Sequence, residues 1–103
     1  MNVLIIDTTN NKEVTVGLKL DGKEIIKKQP LDTRKAQVVL PMLEKMLQEL
    51  DLMLKDLTAI EVNPGPGSFT GIRVGLSIAN TLGFLLNIPV NGKEEGKIAE
   101  ARY

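Results

Sequence analysis

The sequence predicts an α/β domain: a mixed five-stranded sheet in the order β-β-β-α-β-α-β, with two main helices. Three observations predict it. Asn2 to Ile6 is a continuous β-prone run. Glu13 to Leu20 alternates apolar and polar residues and leads into an Asp21-Gly22 turn. Two long stretches, about Val38 to Leu50 and Ser68 to Leu86, place apolar residues at helical spacing on either side of the short apolar run Ala59 to Val62.

Taken in order, Asn2–Ile6 reads as a strand covered on both faces, ending in the turn-rich Asp7-Thr8-Thr9-Asn10-Asn11. The next strand turns Val14, Val16, Leu18 and Leu20 to one side and Thr15, Gly17 and Lys19 to the other. Lys23 to Gln29 is a charged strand suited to a sheet edge, where lysines discourage pairing with another chain. Asp32 or Thr33 is a candidate cap for the first helix, and Pro41 either bends that helix or begins it. Val38, Val39, Met42, Leu43, Met46, Leu47 and Leu50 form its main apolar set, and Leu40, Leu47 and Leu54 add a further stripe. A helix that only covers a sheet needs one stripe, so the surplus predicts a second burial partner. Ile88-Pro89-Val90 reads as a short fifth strand, and Asn91-Gly92 opens a polar tail.

The 103 residues make one domain, with 43% hydrophobic and 25% charged residues. The net charge is zero, from 13 basic and 13 acidic residues, so no global field draws the chain to nucleic acid or to anionic lipid. Direct nucleic-acid binding and membrane association are not expected. The chain has no cysteine and no histidine, which excludes disulfides, thiolate zinc sites and the commonest general base. "MNVLIID" lacks the pattern of a signal peptide, and a cytoplasmic location is the simplest expectation.

The corner "NPGPGSFTGIR" follows a strand and opens a helix, as phosphate loops do. Gly71 is followed by Ile72 and Arg73, so the lysine and hydroxyl of a Walker loop are missing. Gly65, Gly67 and Gly71 have one residue too many for the dinucleotide fingerprint. Two readings stay open. In one, the helix start at Ser68 to Thr70 receives an anion, with Asp7 and Thr8 helping to hold hydrated magnesium and a phosphate. In the other, the prolines stiffen a turn, Ser68 caps the helix, and Asp7 and Thr8 close an Asx or Ser/Thr turn. Arg73 is a candidate for an ion pair or for contact with an anion, or else a solvated residue.

Gly71 and Gly75 lie on one side of the second helix with Ile78, Ala79 and Leu82. Each glycine costs about 1 kcal/mol relative to alanine in a helix, a cost that close approach of another backbone explains. The approaching element is either this domain's own first helix or a helix of another chain. The latter predicts that a bulky charge at Gly75 splits an assembly and leaves the fold intact.

"NPGPGSFTGIRVGLSIANTLGFLLNIPV", with "VLIIDTT" and "VVLPMLEKML", resembles the bacterial TsaB (YeaZ-like) proteins over residues 1–92. The resemblance implies one lobe of a ribonuclease-H-like, actin-like ATPase fold over 1–92; the polar tail over 93–103 is read from the residues alone. It implies a non-catalytic scaffold in making threonylcarbamoyladenosine on tRNA, with a TsaD-like transferase and a TsaE-like ATPase as partners and a homodimer in isolation. Carried over to this sequence, the two-helix contact surface falls on Val39, Leu43 and Met46 and on Gly71, Val74, Gly75 and Ile78. Which stripe faces the sheet is left open. The family often has His-Ser or His-Thr where this chain reads Lys35-Ala36, and the histidine pair of TsaD is missing, so a TsaD role is not expected. No catalytic residue, metal ligand or resident cofactor is expected; ATP and magnesium are expected only at an interface with a partner. The alternative is a minimal nucleotide- or phosphate-binding domain using Asp7, Thr8 and Ser68.

Overall fold

Leu4, Ile6, Val14, Val16, Leu18, Ile60 and Val62 occupy alternate positions on neighbouring strands, and all are buried. The computed structural model describes residues 1–30, 35–93 and 98–102. Its strands are β1 (Val3–Asp7), β2 (Glu13–Leu20), β3 (Lys23–Pro30) and β4 (Ala59–Val62). They form one sheet in the order β3-β2-β1-β4, with β1 and β4 parallel and the other neighbours antiparallel. The register sets Leu4 between Leu18 and Ile60, and Ile6 between Val16 and Val62. These rows make a continuous apolar floor, because side chains two apart on a strand share a face.

Helices α1 (Lys35–Glu49) and α2 (Phe69–Leu86) lie on that floor. Val39, Met42, Leu43, Met46 and Leu47 of α1 and Ile72, Leu76 and Ala79 of α2 complete the core. Pro41 is inside α1, which starts before it. Its ring removes the donor for the Gln37 carbonyl, but both residues are on the exposed side, where water serves that carbonyl. The predicted caps Asp32 and Thr33 lie outside the described residues.

The sheet differs from expectation at its fifth strand. Only Val90 pairs, in a single parallel bridge to Ile60. Asn91 then turns away with φ of 53°, and its side-chain amide replaces the main chain, accepting from Val62 N at 2.7 Å and donating to Val62 O at 2.9 Å. A strand ends where a left-handed residue redirects it. β1 also differs from expectation, since helices cover one of its faces only. On the other, Ile5 is half-buried near Gly17, and Ile26 is 41% exposed. By length and composition α2 passes for a membrane span, but core helices pass the same test, and its glycine side is buried on the sheet.

Candidate functional site

The corner brings Asp7, Thr8, Asn63 and Ser68 together at the C-terminal ends of β1 and β4, the end at which parallel sheets hold ligands. The hydrogen bonds described there close the corner on itself. Asp7 Oδ1 accepts from the Thr9 amide at 2.9 Å and the Thr9 hydroxyl at 2.7 Å, an Asx turn. Asn63 Nδ2 donates to Asp7 Oδ2 at 3.1 Å, and Asn63 Oδ1 accepts from the Gly65 amide at 3.0 Å. Ser68 Oγ caps α2 by accepting from the Gly71 amide at 3.2 Å, while its own amide donates to Thr9 O at 2.8 Å. Thr8 is fully buried, and its hydroxyl donates to Gly71 O at 2.5 Å. Of the three phosphate candidates, Thr8 is thus beneath α2 rather than at the surface, and the Ser68 oxygen is engaged in the cap.

Burial pushes the Asp7 carboxyl up, but the Thr9 amide, the Thr9 hydroxyl, the Asn63 amide and the field of Lys28 outweigh it. Its pKa is held below the ordinary 3.8. Asp7 is therefore a carboxylate at neutral pH, stabilised by fixed donors. A groove of ≈ 490 Å³ runs past it along Glu61, Asn63 and Asn91. Glu61 is paired with Lys19 at 3.1 Å. Among the described residues no group of three or more Asp, Glu, His or Cys is placed to hold a metal ion.

The second candidate is the outer face of the two helices, and here the structure reassigns the predicted residues. Val39, Leu43 and Met46 are buried on the sheet, at 0%, 2% and 2% exposure. Gly71 and Gly75 are buried too. A Cβ on Gly75 would collide with Thr8 Oγ1 and touch Val62 Cγ2 at 3.4 Å. The close approach that Gly75 permits is thus to Thr8, just past β1, and to β4 of the same chain. A bulky charge at Gly75 would therefore strike the core.

Val74 and Ile78 are half-buried and remain on the outer side of α2. They line a shallow groove of ≈ 420 Å³ with Phe69 and Arg73, and the Arg73 guanidinium stands over the Phe69 ring at 5.4 Å. Further along, an apolar groove of ≈ 540 Å³ lies between Leu40, Leu43 and Leu47 of α1, Leu82 of α2, and Met53 and Leu54 of the following turn. Leu40 is 48% and Met53 60% exposed. The surplus stripe Leu40–Leu47–Leu54 thus lines this groove together with Leu43, whereas Val39, Met46, Gly71 and Gly75 of the predicted interface face the core. Met53, Leu82 and Phe69 were not chosen from the sequence. For Leu82 the signal was its one-turn spacing from Ile78; for Met53, in an irregular turn, there was none.

Comparison with known proteins gives the following. The family described as TsaD, tRNA N6-adenosine threonylcarbamoyltransferase, matches residues 30–93. The chain is 33% identical over 94 residues to the tRNA threonylcarbamoyladenosine biosynthesis protein TsaB of Bacillus subtilis, covering 88% of this chain and 40% of that one. It is 34% identical over 92 residues to the TsaB of Escherichia coli, covering 89% and 39%. The solved structure of YeaZ from Pseudomonas aeruginosa superposes with a TM-score of 0.83 at 30% identity, covering 90% of this chain and 43% of that one. The chain spans about two fifths of the length of the curated relatives it matches.

Proposed function

This chain belongs to the TsaD family of tRNA threonylcarbamoyladenosine proteins and is TsaB/YeaZ-like, and on that premise we propose that it is a non-catalytic scaffold in that modification. It pairs through the outer face of α1 and α2 with a TsaD-like transferase, and a TsaE-like ATPase joins the pair. Without the transferase, the same face pairs two copies of the chain. ATP and magnesium bind only where a partner supplies further contacts, and the complex acts in the cytoplasm.

The observation that carries this reading is the apolar groove of Leu40, Leu82, Met53 and Leu54. Exposed apolar surface continuous over two helices and a turn is costly in water and typical of docking faces. The closed hydrogen bonding of the corner supports a scaffold over a phosphate site, because a ligand would have to displace bonds already made. The test is calorimetric titration of the chain with the TsaD-like protein of the same cell. Saturable binding that Leu40→Glu weakens at least ten-fold supports the reading; no binding, together with micromolar affinity of the lone chain for ATP and magnesium, would favour the nucleotide-binding alternative.

A further inference from the structure

Ile98–Arg102, expected to belong to a polar tail, is tied down at several points. Ala99 is 3% exposed and joins the core cluster. Asn80, half-buried on α2, holds both polar atoms of that residue's main chain. Its Oδ1 accepts from Ala99 N at 2.9 Å, and its Nδ2 donates to Ala99 O at 3.1 Å. The Arg102 amide donates to Pro64 O at 2.6 Å. Exposure alternates along the segment: Ile98, Glu100 and Arg102 are exposed, Ala99 is buried and Ala101 half-buried. That is the pattern of a strand laid on a surface, although among the described residues no strand pairs with it.

The corner is shaped to receive this segment. Gly65 has φ of 111°, and a Cβ there would collide with the Arg102 carbonyl oxygen and approach Ile72 Cδ1 at 2.8 Å. Apart from the methyls of Ala99 and Ala101, which pack on the core, the attachments described are to main-chain atoms. The segment also runs against the direction of α2, from beside Asn80 back to the turn before the helix starts.

We propose that Ile98–Arg102 is a latch that clamps the Pro64–Gly67 corner to the flank of α2, with Asn80 as the positioning residue that reads its backbone. An asparagine side chain offers one donor and one acceptor at the spacing of a peptide unit, so it replaces a neighbouring strand without demanding particular side chains. Opening the latch strips partners from both ends of the Asn80 amide and from Pro64 O, and unseats Ala99 from the core. Each loss makes the next less costly, so latch and corner open as one unit. At 3.6 residues per turn, Asn80 faces roughly the opposite side of α2 from Ile78 and Leu82. The latch therefore opens without touching the docking groove, and its test does not depend on the partner reading.

Hydrogen exchange on the full chain tests this. The Ala99, Arg102 and Gly65 amides are followed, with Ile6 as the core reference. Asn80→Ala is expected to speed exchange at all three by about ten-fold or more and to leave Ile6 unchanged. Ile98→Ser, which alters only an exposed side chain, is expected to change none of them. Arg102→Pro removes the donor to Pro64 with little risk to the core, and is expected to speed exchange at both Ala99 and Gly65. Ala99 and Arg102 amides exchanging at unstructured-peptide rates in the parent chain would overturn the latch. So would an Arg102→Pro variant with unchanged exchange at Ala99 and Gly65.

Discussion

Gly75, nearly two turns into α2, faces the hydroxyl of Thr8 so closely that a Cβ would collide with that oxygen. The same hydroxyl donates to the Gly71 carbonyl one turn earlier. Helix and strand are thus joined where two glycines stand four residues apart, and the pair of contacts sets how deep α2 sits on the sheet. Gly75→Ala gains about 1 kcal/mol of helix propensity but drives a methyl into a filled site. We expect a net loss of up to about 2 kcal/mol in urea denaturation. Thr8→Ala, itself destabilising, should relieve part of that loss, seen as a favourable coupling in the double-mutant cycle.

On the outer face the expectation is reversed. Leu40→Glu and Met53→Glu alter residues 48% and 60% exposed, so folding stability should move by no more than about 0.5 kcal/mol. Sedimentation should nonetheless show the self-association proposed for the parent chain weakened at least ten-fold. A variant that loses stability and keeps its association would place the docking surface elsewhere.

Asp7 gives the corner a pH dependence whose sign is fixed. Its pKa is lower in the folded chain than the ordinary 3.8, so below about pH 4 the unfolded chain takes up its proton first. The stabilisation is complete above the unfolded value and is lost as pH falls through the folded one. Asp7→Asn should therefore flatten the acid limb of the stability curve and cost about 1 kcal/mol at pH 7, where a charged acceptor is lost. Thermal denaturation of both proteins from pH 2 to pH 7 measures it.

Ser68 separates cap from phosphate ligand. As the cap of α2, Ser68→Ala should lower stability by about 1 kcal/mol. Millimolar phosphate, or ATP with magnesium, should leave the melting temperature of the parent chain unchanged; a rise lost in Ser68→Ala would establish an anion site instead.

The order of the four strands and two helices up to α2, the lysine-rich edge strand, the Ser68 cap and the limits of α2 were legible in the residues, because each depends on neighbours a few positions away. So was the excess of leucine on α1, which leaves Leu40 on the outer side. The choice of surface was not legible. Leu43 and Leu40 are equally apolar and three positions apart, and only their angle to the sheet makes one core and the other exposed.

The sequence by itself determined local matters: period, turns, caps, the absence of histidine and cysteine chemistry, and the family that its glycine-proline corner resembles. Tertiary structure decided which helix stripe meets the sheet, that Gly75 accommodates Thr8 rather than a neighbouring molecule, and that Asn91 completes an edge a fifth strand was expected to fill. It also decided that Ala99 lies in the core. These depend on contacts between residues far apart in the chain, such as Thr8 with Gly71 or Asn80 with Ala99, and the geometry of such contacts exists only after the elements have packed.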